Sequence, residues 1–209
     1  MKKNNTYFIT GISTDVGKTV AAAIVAQALE ADYWKPIQAG DLDNSDTHKV
    51  KEYINNDITQ YHDNAFELKT PMSPHAAAEI DNIKVEVSQI QRPKTSNNLV
   101  IEGAGGLLVP INETETIADL IASTDKVIIV SRHYLGSINH TLLTIEHLKA
   151  RKINIAGIIF SGDEHPSTEA IIKKMTGVPV IGRIDQEPYI DENVVAEYAE
   201  QFKEALKKL

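Results

Sequence analysis

The sequence predicts an α/β fold in which a mostly parallel sheet is flanked by helices on both faces. Short apolar runs alternate with longer amphipathic stretches along most of the chain, the order of parallel strands joined by crossover helices. Those runs are continuously apolar rather than alternating, as strands covered on both faces require. A third observation marks the working edge of such a sheet. The first run leads straight into Gly11-Ile12-Ser13-Thr14-Asp15-Val16-Gly17-Lys18-Thr19 and then into an alanine-rich helix.

In chain order, the apolar runs place strands at Tyr7–Thr10, Tyr33–Pro36, Leu99–Ile101, Val127–Val130, Ala156–Phe160 and Val180–Gly182. The amphipathic stretches place helices at Lys18–Ala31, Thr47–Ile54, Val85–Arg92, Ile117–Ala122, Ile138–Arg151, Thr168–Met175 and Glu192–Leu209. Residues 38–75 are polar and poor in strand signal, and read as a long irregular insertion of the kind that carries function. There is no repeat, low-complexity tract or linker, so residues 1–209 read as a single domain.

Composition narrows the function. Hydrophobic residues make up 42% of the 209, enough for a sizeable core, and the net charge of −8 argues against a general affinity for nucleic acid or an anionic membrane. The chain has no cysteine, which excludes disulfides, thiolate metal sites and a cysteine nucleophile, and fits a reducing cytosol. The start Met1-Lys2-Lys3-Asn4-Asn5 is basic, but Gly11 and Asp15 interrupt the next apolar run too soon for a signal peptide. No apolar run approaches the ~20 residues that span a bilayer. The expectation is a soluble, cytoplasmic protein.

Strand, glycine-containing turn, Gly-Lys-Thr and helix is the order that a phosphate-binding loop needs. Backbone N–H groups of the turn and the helix N-terminus converge on an anion there. Lys18 would reach the β- and γ-phosphates and the Thr19 hydroxyl would coordinate Mg²⁺. The spacing is irregular, because five residues separate Gly11 from Gly17 where the usual loop has four.

In this fold, ligands collect at the carboxyl ends of the strands. Lys35 ends the second predicted strand, facing either the phosphates or solvent. Glu102, in Glu102-Gly103-Ala104-Gly105-Gly106, is either a Mg²⁺ carboxylate beside a close backbone approach or an incidental residue of a tight turn. Asp46, in Asn44-Ser45-Asp46, reads as a helix cap or as a second carboxylate. Leu135-Gly136-Ser137-Ile138-Asn139-His140 opens a helix whose free N–H groups suit an anion, or it is an ordinary helix start. The seven histidines show no metal-ligand spacing, and no serine sits in a G-x-S-x-G elbow.

Taken together, these segments resemble the dethiobiotin synthetase family. The matching pieces, in order, are Thr10-Gly11 with Thr14–Thr19, Lys35-Pro36, Asn44-Ser45-Asp46, Ser73-Pro74-His75, Glu102–Gly106 and Leu135–His140. The resemblance implies a P-loop NTPase-like fold, a homodimer, and ring closure of 7,8-diaminononanoate with CO₂ (or bicarbonate) and Mg²⁺-ATP. It implies Lys18, Lys35 and Thr14 at the reacting groups, with Thr14 bonding the carbamate or the phosphate. It implies Thr19, Asp46 and Glu102 as Mg²⁺ ligands. Nucleotide contacts would come from Asp15, Val16, Gly17, Lys18, Thr19, Val20, Gly103, Ala104 and Gly105, and on the base side from Ser161, Asp185, Gln186 and Glu187. Substrate contacts would come from Ala39 and from Leu135, Gly136, Ser137, Ile138 and Asn139, the last group taking the carboxylate tail near the dimer interface.

Two positions depart from the family pattern. Ala39 stands where a Ser or Thr hydroxyl is usual, a contact left to Gln38 or water. Ser161 stands where many members have an asparagine that reads adenine, which implies weaker base discrimination. Two other classes share the loop. Partition and septum-positioning ATPase switches carry an extra lysine that Thr10-Gly11-Ile12-Ser13 lacks, and cobyrinate-type ligases add a glutaminase domain for which 209 residues leave no space.

Overall fold

The computed structural model describes residues 4–209, and the basic start Met1–Lys3 lies outside the described residues. Among the described residues nine strands form: β1 Thr6–Gly11, β2 Asp32–Trp34, β3 Ile37–Ala39, β4 Tyr61–His62, β5 Phe66–Leu68, β6 Leu99–Gly106, β7 Lys126–Arg132, β8 Asn154–Ser161 and β9 Val180–Ile184. The same residues form six α-helices: α1 Lys18–Leu29, α2 Asp46–Tyr53, α3 Pro74–Ile80, α4 Ser137–Ala150, α5 Pro166–Thr176 and α6 Glu192–Leu206.

Seven strands make one parallel sheet in the order β4-β2-β6-β1-β7-β8-β9, and β3 pairs with β5 in a small parallel sheet beside it. The central strand β1 is set between β6 and β7, with Tyr7 opposite Val100 on one side and Lys126 on the other. The chain crosses from one side of β1 to the other here, which opens a crevice at the carboxyl ends of the strands. Helices flank the sheet on both faces, α1 with α2 and α6 in one group and α4 with α5 in another. Phe8, Ile9, Ile128, Ile129, Ile158 and Ile159 are wholly buried, so the continuously apolar runs are the covered strands their pattern implied.

The structure corrects several boundaries. The strand expected at Leu99–Ile101 runs on to Gly106, and α3 is a helix the sequence reading did not place. The expected helix Val85–Arg92 reduces to a 3₁₀ turn, Val87–Gln89. Arg92 is pulled away to Asp125 and the Leu120 carbonyl, and Pro93 disfavours helical backbone at the residue before it. Ile117–Ala122 is likewise only a 3₁₀ segment, Ile117–Leu120, because Ile121 turns extended and the Ala122 N–H donates to Asp125. The second strand stops at Trp34, leaving Lys35 and Pro36 just beyond it. Residues 38–75 are not an irregular insertion throughout. They hold α2, β4, β5 and most of β3, with strands of two or three residues that are too short to show a period.

Candidate active site

The phosphate loop takes its shape from where β1 ends. The pairing of β1 with β6 slips between Ile9 and Gly11, and the Ile12 N–H turns to the Val130 carbonyl. The loop then passes through left-handed backbone at Asp15 (φ 54°) and Gly17 (φ 92°). A side chain at Gly17 would also meet the Ser161 hydroxyl at 3.0 Å, so the loop lies tight against the end of β8. Helix α1 starts at Lys18 with no side-chain cap on its free N–H groups, which suits an anion. Lys18 curls back to donate to the Ser13 carbonyl at 3.1 Å. Burial, with repulsion from Lys35, pushes its ammonium down to about 8 against the opposing pull of Glu102, Asp46 and Asp15.

Beside the loop, charges gather from three separate elements. Tyr33 pairs with Val100 across β2 and β6. Side chains alternate along strands, so Glu102, two residues past Val100, shares the face of Tyr33. Lys35 comes directly after β2, its carbonyl held by the Asn64 amide at 2.6 Å. Its Nζ lies 2.9 Å from Glu102 Oε1, 2.6 Å from Asp46 Oδ2 and 3.3 Å from the Gly103 carbonyl. Lys35 is only 4% exposed and Glu102 only 1%, which rules out the solvent lysine and the incidental turn residue. Asp46 is no cap either, since Ser45 caps α2 in a capping box with His48.

Glu102 is satisfied on both oxygens, Oε1 accepting from Thr19 Oγ1 at 3.0 Å and Oε2 from the Tyr33 hydroxyl at 2.7 Å. Burial alone would lower the Lys35 ammonium, but Glu102 and Asp46 outweigh it and hold it above its usual range. Burial would raise the Asp46 carboxyl, but Lys35, with help from Lys49 and Thr19, holds it below the usual carboxylate range. Thr19, Asp46 and Glu102 form a small all-oxygen set that fits a hard cation such as Mg²⁺, which takes one or two carboxylates and completes its shell with phosphate and water. Among the described residues no group of three or more His, Asp or Glu is placed to hold a metal alone.

Two cavities meet at the loop. A cleft of about 790 Å³ holds Thr14, Lys18, Thr19, Lys35, Ala39, Asp46, Glu102, Ala104 and Gly105. A smaller hollow of about 190 Å³ holds Val16, Ser161, Asp185, Gln186 and Glu187. Asp15, Gly17 and Val20 line both. Gly103 lines neither, and gives its carbonyl to Lys35. Leu135–Asn139 also line neither; Leu135, Gly136, Ile138 and Asn139 are exposed and Ser137 is buried.

Sequence reasoning missed Tyr33, Lys49, Tyr53 and Arg132. Arg132 donates to the Asp15 carbonyl at 3.0 Å and walls the smaller hollow, and its position at the end of a strand was the available signal. Gln38 does not stand free to replace the hydroxyl missing at Ala39. Its amide donates to the Gly40 carbonyl at 2.9 Å and accepts from the Asp46 N–H at 3.3 Å.

A family model described as an AAA domain matches residues 5–194. Among curated proteins, the chain is 67% identical to the ATP-dependent dethiobiotin synthetase BioD of Christiangramia forsetii, over 96% of this chain and 97% of that protein. It is 48% identical to the enzyme of the same name from Cytophaga hutchinsonii, over 95% and 96%. Among solved structures, the cell division ATPase MinD of Pyrococcus furiosus superposes with a TM-score of 0.62 at 11% identity, covering 99% of both chains. A plasmid partition protein from Borrelia burgdorferi gives 0.58 at 16% identity, covering 100% of both. At such identities the last two show a shared fold alone.

Proposed function

Because the chain belongs to the dethiobiotin synthetase family of ATP-dependent ligases in biotin biosynthesis, we propose that its cleft closes the ureido ring of 7,8-diaminononanoate with CO₂ and ATP. The observation that carries this reading is the buried Lys35 ammonium, held by Glu102 and Asp46 in the same cleft as Lys18 and Thr14. One amine of the substrate adds to CO₂ and loses a proton, giving a carbamate. A carbamate oxygen then attacks the γ-phosphorus and ADP leaves. The second amine attacks the carbonyl carbon of the resulting anhydride and loses a proton, the C–O bond breaks with inorganic phosphate leaving, and the ring closes.

Phosphoryl transfer of this kind depends mostly on positioning and charge neutralisation. Lys18 and Lys35 would flank the anionic carbamate and the transferring phosphoryl group, and Thr14 would hydrogen-bond one of them. Thr19, Asp46 and Glu102 would hold Mg²⁺, which when bound neutralises charge on the β- and γ-phosphates. Since Asp15, Gly17 and Val20 border both cavities, a nucleotide would reach from the smaller hollow across the loop. Its base would lie against Ser161, Asp185, Gln186 and Glu187.

The carboxylate tail needs a further anchor, and Leu135–Asn139 lie outside the cleft of their own chain. The α4 start has no side-chain cap, and Tyr134, Leu135, Ile138 and Leu143 expose apolar surface around it. The reading is a homodimer in which this helix start serves the cleft of the second copy. Among the described residues no helix is long and apolar enough to cross a membrane, and a chain without cysteine suits a cytoplasmic setting.

Phosphate release from Mg²⁺-ATP and bicarbonate, measured with and without the diamine, tests the reaction, with product mass followed in the same samples. The expected result is diamine-dependent release with a cyclic urea product. Release indifferent to the diamine would favour a nucleotide switch instead.

A further inference from the structure

The Glu102 carboxylate is gripped from two directions by groups with different duties. Oε1 faces Thr19 and Lys35, both part of the proposed metal and phosphate site. Oε2 accepts from Tyr33, which is wholly buried and lines neither cavity at the loop. A buried phenol seeks a partner for its O–H. This one takes the carboxylate oxygen that Thr19 and Lys35 leave over. The reach is a consequence of register, because Tyr33 opposite Val100 has its ring directed along the shared face toward Glu102.

The last torsion of a glutamate is broad, so a carboxylate held through one oxygen can still swing. Held through both, its plane is set. We propose that Tyr33 is a positioning residue for the reaction, its hydroxyl turning Glu102 so that one oxygen stays presented to Thr19, Lys35 and the Mg²⁺-nucleotide. The inference rests on Glu102 belonging to the metal site. A phenol that only filled the core would contribute to the melting temperature and leave the use of Mg²⁺ untouched.

The test compares ATP binding by calorimetry with Mg²⁺ and with EDTA, in the wild type, Tyr33→Phe, Glu102→Gln and the double variant. Partners of this outer kind commonly contribute tenfold or more to metal affinity or activity. In Tyr33→Phe, the gain in ATP affinity conferred by Mg²⁺ should fall about tenfold while affinity in EDTA holds. Turnover should drop by a similar factor with the diamine KM unchanged. Adding Tyr33→Phe to Glu102→Gln should cause no further loss, since the hydroxyl acts through that carboxylate.

A wild-type Mg²⁺ gain in Tyr33→Phe, with the gain lost in Glu102→Gln, would overturn the role of Tyr33 and leave the metal-site reading standing. A wild-type gain in both would overturn that reading and this proposal with it. If Tyr33→Phe does not fold, 4-aminophenylalanine is placed at position 33, a ring of the same size with a weaker donor toward Glu102. A Mg²⁺ gain reduced several-fold supports the proposal and a wild-type gain overturns it.

Discussion

Beside the phosphate loop, Lys35 touches Asp46 and Glu102 within 2.6 and 2.9 Å, and its removal would leave two carboxylates without the ammonium that joins them. Lys35→Ala should therefore lower turnover by about 10²-fold or more, as loss of a preorganised electrostatic stabiliser does. It should also cost about 3–5 kcal/mol of stability, because breaking a buried ion pair strands its partners. Steady-state kinetics alongside denaturant unfolding separate the two effects, and an unchanged kcat would refute the assigned role. Ala39 makes a milder prediction. It lines the cleft without a hydroxyl, and Gln38 is already engaged with backbone. Ala39→Ser should lower the diamine KM by a few-fold, the size of one added hydrogen bond of about 1 kcal/mol. A KM that does not move would show that the substrate does not touch this position. Lys18 and Thr19 were legible as candidate site residues because strand, loop and helix are contiguous. Lys35, Asp46 and Glu102 each kept a bland reading beside the functional one, because the contacts that bring them together lie on other elements.

Among the elements, β2 shows how a three-residue strand is held at the correct height to deliver Lys35. Its first residue, Asp32, accepts hydrogen bonds from the Gln60 N–H, the Thr95 hydroxyl and the Asn97 amide, and pairs with His62. Its far end is tied by the Trp34 indole N–H to the Asp63 carbonyl. Burial alone would raise the Asp32 carboxyl, but these partners outweigh it and hold it below the usual range. A carboxylate depressed in the folded state adds stability above its unfolded pKa of about 3.9 and loses it as pH falls through the folded value. Asp32→Asn should therefore destabilise by about 1–3 kcal/mol at pH 7, and the gap to wild type should narrow below about pH 4. Urea unfolding at pH 7 and pH 3 checks this, and a gap of equal size at both would contradict it. The long apolar strands were readable from their runs. The pieces β3, β4 and β5 were not, since two or three residues hold no period and their stability comes wholly from the neighbours they pair with.

For the whole molecule, the cleft and the exposed start of α4 are the two halves of the proposed substrate site that one chain does not bring together. Leu135→Asp places a charge in the apolar surface formed with Tyr134, Ile138 and Leu143. It should shift the protein to monomer in sedimentation and raise the diamine KM by tenfold or more, the scale of a lost charge-assisted contact of about 1.5–3 kcal/mol, with ATP affinity held. A monomer with an unchanged diamine KM would sink the shared-site arrangement. The parallel α/β class, the phosphate loop and the kinship with the synthetase family were readable along the chain, because apolar runs, the Gly-Lys-Thr turn and the order of motifs are all local to it. That Lys35 meets Glu102 across 67 positions, that Tyr33 secures the other oxygen across 69, and that Leu135–Asn139 lie outside their own cleft came from the folded chain. Such pairings depend on sheet register and strand order, and residues that distant in sequence leave no local pattern of their meeting.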